Sequence, residues 1–145
     1  MIKLSKWTPP SHGVISLFFR TPYDKGIILF NGLESREYFK LYIINKTSVG
    51  LEYNIGNGYQ RVELSLKGSK EVNDRQWHEV VIYRNMKEFG FKLDTEKGVN
   101  LNPLFLKKGL DLEDDLYVGG NPADVTEGFV GCIRGLVCIE FVCFS

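Results

Sequence analysis

Several short segments of the chain alternate apolar and polar residues one by one, which is the pattern of a β-strand with one buried face. The alternating segments lie at 39–43, 49–55, 61–67 and 89–93. Three further segments, at 14–19, 27–30 and 80–83, are apolar at nearly every position. Apolar runs of this length predict central strands that are covered on both faces.

Turn signals rich in glycine, asparagine and lysine separate these segments. They fall at 24–26, 31–32, 46–50, 56–58, 97–98 and 119–120. No long amphipathic helix is predicted, and the chain contains a single residue of the best helix former, Ala123. Short strands at intervals of about 8 to 12 residues with glycine turns are typical of a sandwich, jelly roll or barrel. We therefore predict an all-β chain folded as a β-sandwich.

Length and charge narrow the classes of function. The 145 residues fit one domain, which we place at 1–145. The 18 lysines and arginines balance 18 aspartates and glutamates, which argues against a nucleic-acid binder and against a polybasic membrane anchor. No apolar run approaches the roughly 20 residues of a transmembrane helix. Residues 1–10 lack the charged, apolar and small-residue regions of a signal peptide.

An ordered series of motifs points to a known family. The motifs are I-S-L-F-F-R-T at 15–21, G-I-I-L-F-N-G at 26–32, N-D-R-Q-W-H-E-V at 73–80, L-Y-V-G-G-N-P at 116–122 and G-F-V-G-C-I-R at 128–134. Together they resemble the laminin G-like domain, also called the LNS domain, of neurexins, contactin-associated proteins and laminin alpha chains. The resemblance covers most of residues 14–137 and implies a concanavalin-like jelly-roll sandwich of two antiparallel sheets. Residues 138–145 form an atypical tail, so a sandwich truncated at the C-terminus is expected.

Two adjacent residues of the third motif have predicted structural roles. We expect the indole of Trp77 to fill the core between the sheets, because a buried tryptophan contributes a large apolar area. We expect His78 to be structural rather than catalytic, because no recognisable serine or cysteine nucleophile motif accompanies it.

Many laminin G-like domains bind calcium at one rim of the sandwich. The resemblance places the ligands at Glu37, at the backbone carbonyl of Ile55 and in the segment from Gly109 to Asp111. Oxygen ligands of this kind suit Ca²⁺. Glu37 stands where the family has aspartate, and its extra methylene moves the carboxylate by about one bond length. The acidic cluster at 111–115 is another source of ligands or, alternatively, a solvated loop.

The resemblance implies an extracellular module that is not an enzyme. Such a module binds cell-surface or matrix proteins through its rim loops, with calcium at the contact, and mediates cell adhesion. The chain is then expected outside the cell or at its surface, as part of a longer secreted or membrane-anchored protein. The alternative is a lectin-like jelly roll that binds glycans. A glycosidase is disfavoured because no paired-carboxylate strand motif is present.

Two modifications are predicted. Asn45 opens the only N-x-S/T sequon, at 45–47, which is either a glycosylation site or a chance tripeptide in a turn. The cysteines Cys132, Cys138 and Cys143 all lie in the last 14 residues and lack the spacing of a zinc site. The resemblance implies a disulfide at Cys132, whose partner is Cys138, Cys143 or a cysteine outside the chain.

Overall fold

The computed structural model describes residues 1–4, 12–32, 38–54, 59–85, 88–96, 99–100 and 115–140. It contains β1 (Ile2–Leu4), β2 (His12–Arg20), β3 (Gly26–Gly32), β4 (Tyr38–Asn45), β5 (Ser48–Asn54), β6 (Tyr59–Ser65), β7 (His78–Asn85), β8 (Glu88–Leu93), β9 (Val99–Asn100), β10 (Leu116–Val118) and β11 (Cys132–Glu140). A 3₁₀ turn at Val125–Glu127 precedes β11. Within these described ranges there is no α-helix, which confirms the all-β prediction.

The strands form two antiparallel sheets. The six-stranded sheet has the order β1-β10-β3-β4-β5-β6, and the five-stranded sheet has the order β11-β2-β7-β8-β9. Neighbours in the chain pair directly from β3 to β6, so hairpins build most of the first sheet. The strand β10 returns from far along the chain to pair with β3. The prediction of a sandwich of two antiparallel sheets is therefore confirmed.

The core lies between the inner faces of the two sheets. Alternation along β4 buries Phe39, Leu41 and Ile43, each at most 3% exposed. The partner sheet contributes the side chains that complete this cluster, among them Ile15, Leu17, Phe19, Val80, Ile82, Phe91 and Leu93. Removal of these apolar faces from water is the main stabilising contribution to the fold.

Only one of the three apolar runs is covered on both faces. Residues 27–30 are all buried, because Ile27 and Phe30 pack with Tyr38 in a second, smaller cluster apart from the core. The strands β2 and β7 are central in their sheet, as predicted, but the expected covering of both faces was wrong. Residues 14–19 and 80–83 alternate between buried and half-buried positions, so the outer face of the five-stranded sheet remains partly open to solvent.

Trp77 is half-buried and belongs to neither apolar cluster, so its predicted place in the core was wrong. The reason is the alternation at the start of β7. His78 is only 6% exposed and contacts the ring of Phe19 in the core, with the ring centroids 5.6 Å apart. The preceding residue therefore faces outward.

Candidate functional site

Four adjacent strands of the six-stranded sheet share one end, where the predicted calcium-binding segments begin. In the register, Leu116 of β10 lies opposite Asn31 of β3. Tyr38 of β4 lies opposite Gly32 of β3 and also opposite Asn54 of β5. We call this end of the sheet the Tyr38 end. The chain enters β4 and β10 and leaves β3 and β5 there.

Polar contacts fix the strand ends at the Tyr38 end. The buried Asn31 side chain donates a hydrogen bond through Nδ2 to the backbone oxygen of Asp115, at 3.0 Å. The carboxylate of Asp115 lies 2.8 Å from Nζ of Lys3. The Tyr38 hydroxyl donates to Oε1 of Glu52 at 2.7 Å. The first two contacts join β1, β10 and β3, and the third joins β4 to β5. Pairing of β3 with β4 connects the two groups into one support for the segments that leave the sheet here.

The predicted calcium ligands themselves, Glu37, Ile55, Gly109 and Asp111, lie outside the described residues. Their arrangement therefore stays a prediction. Among the residues that are described, no group of three or more histidine, cysteine, aspartate and glutamate side chains is placed to hold a metal ion.

The opposite end of the six-stranded sheet carries the sequon. Asn45 pairs with Ser48 across a two-residue turn, and we call this the Asn45 end. The Asn45 side chain is exposed, and its Oδ1 accepts hydrogen bonds from the backbone nitrogen and the hydroxyl of Thr47, at 2.9 and 3.0 Å. The asparagine is thus accessible, and its glycosylation remains a prediction.

An open groove of about 390 Å³ lies beside the outer face of the six-stranded sheet, near the Asn45 end. It is lined by Lys25, Gly26, Ile27, Lys40, Tyr42, Ile43, Thr126, Glu127 and Gly128. The groove forms because the 3₁₀ turn before β11 lies beside the β3–β4 pair, with Ile27 bridged to Gly128. No sequence pattern predicts this groove, since its two walls are about 85 to 100 residues apart in the chain.

Aromatic and charged side chains give the groove its chemistry. The ammonium of Lys40 lies 4.9 Å from the ring centroid of Tyr42 and 3.5 Å from the carboxylate of Glu52. Nη1 of Arg61 donates to the Tyr42 hydroxyl at 3.4 Å. A side chain at Gly50 would come within 3.2 Å of the Tyr42 ring, so the ring lies across this glycine. A fixed aromatic ring beside an ammonium and a guanidinium group suits a polar ring ligand.

His78 is held by carboxylates on both ring nitrogens. Nδ1 lies 2.7 Å from Oδ2 of Asp94, and Nε2 lies 2.7 Å from Oδ1 of Asp74. Burial by itself lowers the pKa of His78, but the hydrogen bonds and charges of Asp94 and Asp74 outweigh it, so the pKa is raised. With both nitrogens engaged, the ring has no free nitrogen to act as a base on a substrate.

Cys132 is exposed and its thiol is free in the structure. Its Sγ lies 3.8 Å from Nη2 of Arg20. Cys132 and Cys138 lie on the same strand, opposite Arg20 and Ile15 respectively, so their Cα atoms are separated by several residues of extended chain. That separation exceeds the roughly 7 Å limit of a disulfide. Cys143 lies outside the described residues, and a disulfide of Cys132 with it or with another chain stays a prediction.

Comparison with known proteins assigns the fold. A family model described as the Laminin G domain matches residues 19–139. Domains LG4-5 of the mouse laminin alpha1 chain align with a TM-score of 0.71 and 19% identity, over 94% of this chain and 38% of that one. The LG1-3 region of the laminin alpha2 chain aligns with a TM-score of 0.75 and 22% identity, over 94% of this chain and 24% of that one. The chain thus spans well under half the length of either laminin structure.

A bacterial protein has a similar fold. The CBM40 of the Ruminococcus gnavus IT-sialidase aligns with a TM-score of 0.62 and 18% identity, over 94% of this chain and 87% of that one. The same module bound to alpha2,3 sialyllactose aligns with a TM-score of 0.60 and 19% identity, over 96% and 85%.

The family match covers most of the described sandwich, from the end of β2 to β11. Its two antiparallel sheets and its structural neighbours agree with a jelly roll. Among the described residues, no helix is both long and apolar enough to cross a membrane. The chain belongs to the Laminin G domain family of binding modules.

Proposed function

We propose that this Laminin G domain is an extracellular, non-catalytic recognition module that binds a protein of the cell surface or matrix through its loops at the Tyr38 end, with Ca²⁺ bound there. Laminin G domains are non-catalytic and occur in extracellular and cell-surface proteins. On this proposal the sandwich is a rigid support, and the loops make the contact.

The register at the Tyr38 end is the observation that carries the proposal. Glu37 immediately precedes Tyr38, and Ile55 immediately follows Asn54, which is paired with Tyr38 across β4 and β5. The segment with Gly109 and Asp111 leads into β10, the second strand away from β4. All three predicted ligand segments therefore join the sheet at one end of four adjacent strands. A carboxylate and backbone carbonyls supplied by these segments are the oxygen ligands that calcium takes.

Calcium binding should stabilise the folded domain. With the 10⁻⁴ to 10⁻³ M dissociation constants of extracellular modules, 10 mM Ca²⁺ is expected to add about 1.4–2.7 kcal/mol to the free energy of unfolding. Calorimetry and thermal unfolding, each with Ca²⁺ and with chelator, measure the effect. Glu37→Gln should abolish both signals, because it removes the charged ligand. Glu71→Gln is the matched control, since Glu71 lies near Lys46 at the Asn45 end, 3.9 Å from its Nζ.

Absence of both signals in the native chain up to 10 mM Ca²⁺ would remove calcium from the proposal. Protein recognition is tested separately with fluorescent tetramers of the domain applied to cultured cells. We expect surface binding that is lost when the cells are treated with trypsin. Binding that survives trypsin but disappears after removal of surface glycans would contradict recognition of a protein.

The groove favours a second candidate function, glycan binding. Tyr42 and Lys40 offer an aromatic ring and an ammonium group, and the similar CBM40 was solved with alpha2,3 sialyllactose. On a glycan array, this candidate predicts binding that persists in chelator and falls at least about tenfold in Tyr42→Ala. Tyr59→Ala is the control, because Tyr59 is 69% exposed on β6 and does not line the groove. Signals that survive Tyr42→Ala would exclude the groove as the sugar site.

A further inference from the structure

Two arginines converge on one tryptophan at the outer face of the five-stranded sheet. The guanidinium carbon of Arg134 lies 4.2 Å from the Trp77 ring centroid, and that of Arg20 lies 4.9 Å from it. Arg134 also lies over the ring of Phe18, at 5.4 Å. Both arginines are exposed, whereas Trp77 and Phe18 are half-buried. We call these four residues the Arg20–Arg134 surface.

Strand register brings these residues together. Arg134 of β11 lies opposite Phe18 of β2, and Phe18 lies opposite Glu79 of β7. Trp77 immediately precedes β7, and Arg20 ends β2. No single sequence motif contains all four residues, because they come from three separate strands or their ends.

The two guanidinium groups have no counterion in the described part of the chain. Several described lysines and arginines elsewhere, among them Lys3, Lys40 and Arg61, lie within 4 Å of a carboxylate. Neither Arg20 nor Arg134 is in such an ion pair among the described residues. Glu79, the acidic residue nearest in register, is separated from Arg134 by Phe18. Aromatic rings, rather than carboxylates, therefore position these two positive charges. Apart from Nη2 of Arg20, which donates to Sγ of Cys132, their guanidinium donors can bind an external anion.

The surroundings of the two arginines favour a protein ligand. Val130, just before β11, and Val137, within β11, are 59% and 41% exposed. Arginine and tryptophan, which meet on this sheet face, are two of the residue types enriched at the energetic centre of protein interfaces. The two guanidinium groups already cover the indole, so stacking of a sugar ring on Trp77 is disfavoured. Arginine binds carboxylates in a bidentate geometry.

We propose that the Arg20–Arg134 surface binds an acidic segment of a partner protein through its glutamate or aspartate carboxylates. This surface is separate from the Tyr38 end. The loop at 66–77, which leads to Trp77, is joined to the Asn45 end by hydrogen bonds from the backbone nitrogens of Leu66 and Val72 to Thr47 and Lys46, at 2.9 and 2.7 Å. Binding here therefore requires neither the rim loops nor calcium.

The test uses the full chain with Trp7→Phe, which leaves Trp77 as the only tryptophan and makes its emission a reporter of this surface. A random dodecapeptide phage library is selected on this protein in the presence of chelator. The enriched peptides are then synthesised and titrated while Trp77 emission is recorded. We expect peptides rich in glutamate and aspartate that change the emission, with binding that weakens as salt is raised.

Arg20→Ala with Arg134→Ala should weaken binding of these peptides at least about tenfold. Lys3→Ala with Lys46→Ala is the matched control, because it removes the same net charge from exposed side chains of the six-stranded sheet and should leave the affinity unchanged. Equal melting temperatures of the variants establish that the fold is intact. Heparin hexasaccharide and 3′-sialyllactose should leave the emission unchanged.

The proposal is overturned if the selected peptides are not acidic, if no peptide is enriched, or if the double arginine variant binds them as well as the parent. A change of Trp77 emission with either glycan also overturns it, since the surface would then belong to an acidic sugar. None of these results bears on calcium binding at the Tyr38 end.

Discussion

Replacing Gly131 with alanine is expected to lower the free energy of unfolding by about 2–5 kcal/mol, from steric overlap and backbone strain together. Gly131 has a φ of 155°. A Cβ there would overlap the backbone oxygen of Arg20 and lie 2.9 Å from Cζ of Phe129. The oxygen belongs to the backbone of β2, so it has little freedom to move away. Denaturant unfolding of the two chains measures the difference.

Gly68→Ala is the matched control for Gly131→Ala. Gly68 also has a positive φ, 71°, but a Cβ there meets no atom within 4 Å. Gly68→Ala therefore introduces backbone strain without steric overlap, and it is expected to lower the free energy of unfolding by about 1 kcal/mol. If the two alanine variants lose the same stability, the close approach of Gly131 to β2 is not the cause.

Replacing His78 with glutamine is expected to cost about 1–3 kcal/mol at pH 6. Glutamine donates hydrogen bonds only through its terminal amide nitrogen, so it cannot donate to Asp74 and Asp94 on opposite sides. One of the two carboxylates therefore loses its hydrogen bond. The cost is moderated by water, because the side chains of Asp74 and Asp94 are 38% and 28% exposed. Denaturant unfolding at pH 6 measures this loss.

The same histidine should make stability depend on pH. The pKa of His78 is raised in the folded state above its ordinary 6.5. Its contribution to the free energy of unfolding is therefore complete below pH 6.5 and is lost as the pH rises through the folded-state pKa. For Asp74, burial raises the pKa, but hydrogen bonds from Gln76 and His78 outweigh it and lower the pKa below 3.8. Its contribution is present above about pH 4 and is lost as the pH falls through the lowered value.

We therefore expect the native chain to be more stable at pH 6 than at pH 9, and His78→Gln to lose most of this difference. His12→Gln, which replaces the only other histidine, is the control and should keep the native pH dependence. If His78→Gln retains the full difference between pH 6 and pH 9, the pair of aspartates does not hold a charged imidazole.

The sequence predicted the strands well wherever one face is buried. Alternation at 39–43 and 49–53 matches β4 and β5, because the residues that repeat every second position face one core. The motif G-F-V-G-C-I-R located Gly131, although only the approach of β2 to its Cα explains why glycine is required there.

The candidate sites were less accessible to sequence analysis. His78 was predicted to be structural, but its aspartate partners lie 4 residues before and 16 residues after it, and no periodicity connects them. Trp77 was predicted in the core because a large apolar residue usually adds to burial. Trp77 faces outward because the next residue, His78, points into the core, and the sequence alone does not show which of the two faces inward.

Period-two hydrophobicity and local motifs are properties of neighbouring residues, so they were enough to assign the all-β class, the family and the inner face of most strands. Three features required the packed fold: which strands are covered on their outer faces, the meeting of Arg20 and Arg134 on Trp77, and the groove between Tyr42 and the 3₁₀ turn. These arrangements depend on pairing between strands far apart in the chain, and the free energy that selects such pairings comes from the whole packed sandwich.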